Sequence, residues 1–153
     1  MADIFTKRKR SAVMSGIRSR GNAATELRLI TVFRAHGITG WRRGATLRWP
    51  ADATKSKAFR VKPDFVFRAR KLAVFVDGCF WHGCPLHATS PKTNAAFWRK
   101  KISANRTRDR LVTRTLRAYR WTVLRIWQHE LKPAHTRRLL NRLHRAGLLL
   151  PPQ

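Results

Sequence analysis

The sequence predicts a single mixed α/β domain with one sheet flanked by helices. Its 153 residues suit one domain, and 43% apolar residues with six Trp and eight Phe are enough for a buried core. Apolar residues at helical spacing alternate with β-branched and aromatic runs in the order helix, strands, helix, strand, helix. This alternation is the pattern of a sheet covered by helices.

The chain opens with a basic segment, residues 1–21, and residues 22–150 form the folded domain. Asn22 is a suitable N-cap, and apolar residues including Leu27, Ile30 and Phe33 then recur at helical spacing until Gly37 ends the helix. This periodicity predicts an amphipathic first helix.

Residues 38–61 predict turns, short strands and a polar loop, and two clear strands follow. Phe65–Phe67 and Leu72–Val76 are β-branched and aromatic, and the basic residues between them can turn. A hairpin centred on that turn is expected to place Asp64 directly opposite Asp77.

The second half of the chain predicts a long helix, a strand and a last helix. After an irregular stretch at residues 78–91, one helix face is marked by Trp98, Ile102, Asn105, Asp109, Val112 and Leu116. Trp121–Trp127 is the strand, and Leu139, Leu140 and Leu143 belong to a helix closed by Gly147.

The charge balance indicates a polyanionic partner. The chain has 34 Lys and Arg against seven Asp and Glu, a net charge of +27, so nucleic acid is the expected partner. No apolar run approaches the roughly 18 residues of a membrane span, and the start lacks the apolar stretch of a signal peptide. Two cysteines five residues apart make no disulfide framework, so we expect a cytoplasmic protein.

Asp64 and Asp77 are candidates for a catalytic metal site. Two carboxylates held across a hairpin can bind a hard cation such as Mg²⁺, which offsets the charge of a phosphodiester. The alternative is that both are strand-end residues paired with arginines.

His82 is the candidate general base, because an imidazole titrates near neutral pH. Such a base works best when a carboxylate holds its other nitrogen, and Asp109 on the inward stripe of the long helix is the candidate. The alternative is a solvent-facing histidine.

The same stretch offers zinc ligands. Cys79, Cys84 and His87 supply three donors, and a tetrahedral structural site needs a fourth, for which we favour His129 with Asp109 as the fallback. The alternative is two buried free thiols and a surface histidine.

Aromatic residues near the acidic pair suggest contacts with bases. Phe80 and Trp81 lie in a Gly- and Cys-rich turn, Trp98 is nearby, and Met14 lies in the basic N-terminal segment. Apolar side chains can wedge between base steps while Lys and Arg hold the phosphates, although aromatic residues more often belong to a core.

The string Lys62–Phe67, followed by Val74–His82, resembles the very-short-patch repair endonucleases, the Vsr family, which nick DNA at a thymine–guanine mismatch. The resemblance covers nearly the whole chain. Its other motifs are Arg10-Ser11-x-x-Met14-x-x-Ile17, Glu26 on the first helix, Phe97-Trp98-x-x-Lys101-Ile102-x-x-Asn105-x-x-x-Asp109-Arg110, Tyr119-Arg120-Trp121-x-Val123 and Ile126-Trp127-x-His129-Glu130.

The resemblance implies a restriction-endonuclease-like fold, a variant of the PD-(D/E)xK core, and a Mg²⁺-dependent endonuclease that nicks one strand at T·G mismatches. Asp64 matches the central metal-binding carboxylate. Val76 matches the position whose backbone carbonyl contacts Mg²⁺, and Glu26 the helix acid that supports the metal through water. His82 matches the catalytic histidine and Asp109 its carboxylate.

The resemblance also assigns the remaining candidates. Phe80, Trp81 and Trp98 match aromatic residues that intercalate beside the mismatch, and Met14 matches a residue inserting from the other groove. The structural zinc ligands of the family fall on Cys79, Cys84, His87 and His129. Residues 1–21 are then a DNA-contacting segment. The expected protein is a bacterial, nucleoid-associated, cytoplasmic monomer that acts on double-stranded DNA, without a membrane, and mismatch-repair proteins are further partners by family analogy.

The chain departs from the family pattern at three places. Asp77 stands where some members have a second active-site histidine, and Cys79 stands where PD-(D/E)xK enzymes carry lysine. The stretch Arg48–Val61 is longer than expected. Two alternatives therefore stay open: a related restriction-like nuclease acting on other DNA, and a non-catalytic, zinc-stapled nucleic-acid-binding protein.

Overall fold

The structure is a computed structural model, and it describes Arg8 and residues 25–51 and 57–149. Met14, the rest of the basic segment 1–21 and the expected N-cap Asn22 lie outside the described residues, so the predictions made for them stay predictions. The elements in chain order are α1 (Glu26–Ala35), β1 (Arg42–Arg43), β2 (Leu47–Trp49), β3 (Phe59–Val61), β4 (Phe65–Phe67), β5 (Leu72–Asp77), α2 (Ala95–Ala118), β6 (Thr122–Trp127) and α3 (Thr136–Arg145).

The main sheet has four strands in the order β1-β4-β5-β6. β4 runs antiparallel to both β1 and β5, whereas β6 runs parallel to β5 over six residue pairs, from Leu72 opposite Thr122 to Asp77 opposite Trp127. The parallel pair needs a crossover, which α2 provides. β2 and β3 form a separate antiparallel hairpin. The predicted mixed α/β class is confirmed.

Hydrophobic clusters cover both faces of the sheet, because successive side chains of a strand point to opposite faces. On one face Phe33 of α1 packs edge-on against Phe65 and Phe67 of β4, with ring centroids 5.3 and 5.7 Å away. Leu139 and Leu143 of α3 belong to the same cluster. The other face buries Val66, Ala73 and Leu116, so that α2 and the β2–β3 hairpin cover it.

Helix α1 is rotated relative to the prediction. Leu27, expected on the buried face, is 40% exposed, whereas Leu29 is fully buried. Leu27 and Leu29 can each lie on the same helix face as Ile30 and Phe33. The sheet surface that α1 packs against determines which of the two leucines is buried. Gly37 ends the helix region as expected, at a φ of +62° that favours glycine.

The β4–β5 hairpin has a different register from the prediction. Phe67 pairs directly with Leu72 across a four-residue connection, and Phe65 pairs with Val74, so Asp64 is not directly opposite Asp77. The tight connection is a 3₁₀ turn, Arg68–Arg70, followed by Lys71 in the left-handed conformation. The shift is two residues, so both carboxylates stay on one face of the sheet, diagonally placed.

The long helix α2 faces the sheet with the predicted stripe, and Leu116 is its most buried residue. Asp109 therefore points inward, toward the end of β5. Within the described residues, no helix combines the length and apolarity that crossing a bilayer requires.

Candidate active site and metal centre

A cleft of about 490 Å³ opens where β5 ends, beside α2 and β6. It collects four of the predicted catalytic residues, Asp64, Asp77, His82 and Asp109, together with Val76. Its other lining residues are Arg60, Val61, Lys62, Phe75, Arg108, Val112 and Arg125. Acidic groups therefore lie inside a basic rim, an arrangement that suits a cation and a polyanion together.

Asp64 is held at the cleft by the backbone of the neighbouring strand. The Val76 N–H donates to Asp64 Oδ2 over 2.7 Å. Burial raises the pKa of Asp64 to about 6, against the lowering effect of this hydrogen bond, and the nearby charges of Glu26 and Asp77 add to the rise. A cation bound at this carboxylate would relieve the cost of its charge.

His82 and Asp109 form a close pair. His82 Nδ1 lies 2.5 Å from Asp109 Oδ2, and 3.7 Å from Asp77 Oδ1. Burial would raise the pKa of Asp109, but the hydrogen bond from His82 and the charge of Arg125 hold it below its usual range. An ionised carboxylate at Nδ1 can orient the imidazole and leave Nε2 available for proton transfer.

Asp77 is buried, and an arginine takes both of its carboxylate oxygens. Arg125 Nε donates to Asp77 Oδ2 over 2.7 Å and Arg125 Nη2 to Asp77 Oδ1 over 2.8 Å. The sequence predicted Asp77 as a metal ligand, with an arginine pair as the alternative. The structure places Asp77 at the cleft in that ion pair.

Glu26 begins α1 and is buried against Arg43 of β1, whose Nε lies 2.6 Å from Glu26 Oε2. Its charge acts on Asp64, so the predicted helix acid lies on the side of the cleft where β4 begins. Arg43 was not predicted to take part.

The four predicted zinc ligands come together where the loop after β5 meets the chain after β6. The donor atoms of Cys79, Cys84, His87 and His129 all lie within 4.8 Å of one another. His129 Nδ1 lies 3.4 Å from Cys79 Sγ and 3.6 Å from Cys84 Sγ. A tetrahedron with metal–ligand bonds of about 2.1 to 2.3 Å has edges of about 3.4 to 3.8 Å, so these donors fit zinc. Asp109, the fallback ligand, belongs to the cleft instead.

The predicted aromatic residues form one cluster beside the cleft. Phe80 lies 5.2 Å from Trp98 and 5.2 Å from Trp81 between ring centroids, and all three are half-buried. Phe97 touches Trp98 and is 59% exposed, so it extends the cluster to the surface. Phe97 was noted only as part of the Phe97-Trp98 motif and was given no role in base contacts.

Arg125 is a central residue of the cleft that no sequence motif indicated. It lies in β6 between the buried residues Leu124 and Ile126, where its guanidinium stacks 4.7 Å from the Phe75 ring centroid. An arginine inside an otherwise apolar strand is the signal that could have found it, because such a charge needs a partner.

Comparisons with known proteins agree with the sequence motifs. The family model described as DNA mismatch endonuclease Vsr matches residues 2–87. The chain is 55% identical to the type II nicking enzyme V.NaeI of Lentzea aerocolonigenes over 46% of this chain and 43% of that protein. It is 35% identical to the type II nicking enzyme V.NmeAIP of Neisseria meningitidis serogroup A over 95% of this chain and 96% of that protein.

A further relative is the DNA mismatch endonuclease Vsr of Escherichia coli K12, which is 34% identical over 86% of this chain and 77% of that protein. In four of the matches, to V.NaeI, V.XorIIP, V.NmeDIP and V.HpaIIP, the chain spans only about half the length of the relative, 43%, 52%, 48% and 48%.

Asp64→Asn is expected to stabilise the metal-free protein. The pKa of Asp64 rises from 3.8 to about 6 on folding, so its ionisation opposes folding above that range and has no effect below pH 3.8. We expect the variant to raise the free energy of unfolding by about 1 to 3 kcal/mol near pH 7.5. Urea unfolding at pH 7.5 and pH 4 measures the difference, which should fall below about 1 kcal/mol at the lower pH. A variant less stable at pH 7.5 would contradict this.

Proposed function

The chain belongs to the Vsr family of DNA mismatch endonucleases, and on that premise we propose that it is a Mg²⁺-dependent endonuclease that nicks one strand of double-stranded DNA at T·G mismatches. The fold of this family is restriction-endonuclease-like, as the sequence predicted. The observation that carries the proposal is the cleft in which Asp64 faces the His82–Asp109 pair. Five of the relatives are named type II nicking enzymes, which supports cleavage of one strand.

The residues at the cleft fit a hard divalent cation. Asp64 Oδ2 is held by the Val76 amide, and Oδ1 makes no hydrogen bond within the described part of the chain. Asp64 and the Val76 carbonyl would hold Mg²⁺, and Glu26 would support it through water. The ion, when bound, offsets the negative charge of the phosphodiester and of the leaving oxygen.

His82 then acts as the general base. Its Nδ1 is fixed by Asp109, so Nε2 accepts the proton of a water molecule as that oxygen attacks phosphorus. The P–O bond to the leaving strand breaks, and Asp109 stabilises the imidazolium that forms. The distance between His82 and Asp109 supports these roles.

Basic and aromatic side chains would bind the DNA. Arg60, Lys62 and Arg108 line the cleft and can hold phosphates. The cluster of Phe80, Trp81 and Trp98 can wedge between base steps, which costs least where a mismatch has weakened stacking. Met14 as a wedge from the other groove, a monomeric state and mismatch-repair partners stay predictions.

Zinc is proposed as a structural ion bound by Cys79, Cys84, His87 and His129. Two thiols and two imidazoles form a donor set that binds Zn²⁺ in preference to Mg²⁺, and their spacing fits a tetrahedron. The ion would staple the irregular loop after β5 to the end of β6.

Nicking tests the proposed function directly. With Mg²⁺ and a T·G duplex we expect the wild type to cut one strand, and Asp64→Ala and His82→Ala to lose about 100-fold or more in rate, because each removes a group acting on the reacting atoms. His36→Ala, which removes an exposed histidine outside the cleft, is the matched control. Full nicking by both active-site variants would overturn the mechanism.

The same duplex with a T·A pair replacing T·G separates the alternatives. Preference for the mismatch supports the repair function, and equal cutting supports a related nuclease acting on other DNA. Tight, salt-sensitive binding without any nicked product supports a non-catalytic binding protein.

Zinc removal is expected to destabilise the fold. The purified protein should contain one zinc, and a chelator should lower the free energy of unfolding by about 2 kcal/mol or more, because the ion is bound only in the folded state. In Cys84→Ser the chelator should have no further effect, whereas His36→Ala should respond like the wild type. Absence of zinc with a harmless Cys84→Ser would remove this proposal.

A further inference from the structure

We propose that Arg125 is a positioning residue of the active site and that Asp77 is its counter-ion rather than a ligand of the catalytic metal. The proposal rests on the nuclease function proposed above and gives a role to a residue that neither the motifs nor the comparisons assign.

Arg125 joins two carboxylates of the cleft. Its Nε and Nη2 hold both oxygens of Asp77, and Nη2 also lies 3.0 Å from Asp109 Oδ1. Asp109 uses its other oxygen for His82. The planar guanidinium of Arg125, which projects from a strand of the central sheet, therefore fixes Asp109, the carboxylate that orients His82.

The same contacts make Asp77 a poor metal ligand. The residue is only 4% exposed, and a cation would have to compete with a bidentate arginine for its oxygens. Asp64 differs, since only its Oδ2 is hydrogen-bonded within the described residues. Where the two carboxylates compete for an ion, Asp64 is the accessible one.

Fold stability alone does not favour an arginine at this position. Nη1 of Arg125 is buried and has no hydrogen-bond partner among the described residues. A buried ion network with an unsatisfied donor is often no more stable than apolar side chains of similar size. A functional role explains the presence of the arginine in the strand.

Metal binding tests the role of Asp77. Mn²⁺, added alone and followed by electron paramagnetic resonance, reports the site without any need for catalysis. We expect Asp64→Asn to weaken binding about 10-fold or more, and the double variant Asp77→Asn/Arg125→Met, which preserves the net charge, to stay within about 3-fold of the wild type. A double variant as weak as Asp64→Asn would overturn the proposal.

Single-turnover nicking tests the positioning role. Arg125→Met and Arg125→Lys are both expected to lower the rate about 10- to 100-fold with unchanged DNA affinity, because neither side chain can hold two carboxylates in a plane. Arg68→Met, on an exposed turn at the other end of β5, controls for the lost charge. If the wild type nicks DNA and Arg125→Lys does so equally fast, the positioning role is wrong while the proposed function stands.

We also propose that the β2–β3 hairpin holds phosphates of the bound DNA strand beside the cleft. This too rests on the proposed function. Arg48 and Arg60 are direct partners across the two strands, and both are exposed. Their spacing places two guanidinium groups on one side of a two-stranded ribbon.

The opposite side of the hairpin is anchored in the core. Trp49 stacks on Tyr119 at the end of α2, with ring centroids 4.5 Å apart, and packs against Phe59 of the partner strand. Leu47 and Val61 belong to the same cluster. The arginine side is therefore fixed outward.

The hairpin also borders the site of cleavage, since Arg60, Val61 and Lys62 line the cleft. Like charges placed directly opposite destabilise an antiparallel pair unless an anion lies between them. A phosphate of the strand running into the cleft supplies that anion. The paired strands β2 and β3 then extend the DNA-binding surface.

Salt-dependent binding of paired duplex DNA without Mg²⁺ tests this surface. In Arg48→Ala/Arg60→Ala we expect the slope of log affinity against log salt to fall by about 1 to 2, because each lost phosphate contact removes about 0.9. Arg68→Ala is the control with the same change in side chain, and should keep the wild-type slope.

Thermal unfolding of the free protein separates lost contacts from lost structure, and the double variant should melt no lower than the wild type. An unchanged slope in a folded double variant, or an equal fall in Arg68→Ala, would overturn the hairpin role. Normal mismatch nicking by the wild type in the same preparations would leave the proposed function intact.

Discussion

The parallel pairing of β5 with β6 is the constraint on which both candidate centres depend. Both strands end at the same edge of the sheet, where Asp77 lies opposite Trp127. The chain after β5 supplies Cys79 and His82, and the chain after β6 supplies His129. Since parallel strands need a covering crossover, the same pairing also brings α2, with Asp109, over this edge. The pairing thereby gathers Cys79, His82, Asp109 and His129 at one edge of the sheet, and Asp64 joins them from the chain before β4.

The loop after β5 serves both centres at once. Cys79 and Cys84 lie among the zinc donors, and His82 between them faces the cleft. Only two residues lie between Cys79 and His82, so the two side chains belong to different candidate centres while sharing one loop backbone. A structural ion that holds this loop would also hold the base in position against Asp109. Two candidate centres of different chemistry thus share one short segment of the chain.

Much of the architecture could be predicted from the sequence, because period-2 and period-3.6 patterns report burial directly. The inward stripe of α2 and the strands β4, β5 and β6 follow from such patterns. Leu27 and Leu29 show the limit: either can extend the stripe of α1, and only the packing surface decides. The hairpin register depends on the conformation of Lys71, and the network at Asp77 depends on Arg125 from a strand 48 residues later. Neither the hairpin register nor the Asp77–Arg125 pair can be predicted from the residues next to it in the sequence.

The five described carboxylates are all engaged, and this bears on how the protein behaves outside its complexes. Their partners are Arg43 for Glu26, the Val76 amide for Asp64, Arg125 for Asp77, His82 for Asp109 and Arg142 for Glu130. None of them is left to neutralise the remaining surface arginines of a chain with a net charge of +27. The free fold therefore carries a self-repulsion that only mobile anions of the solution can screen. Its solubility and shelf life should follow the anions of the buffer as closely as they follow temperature.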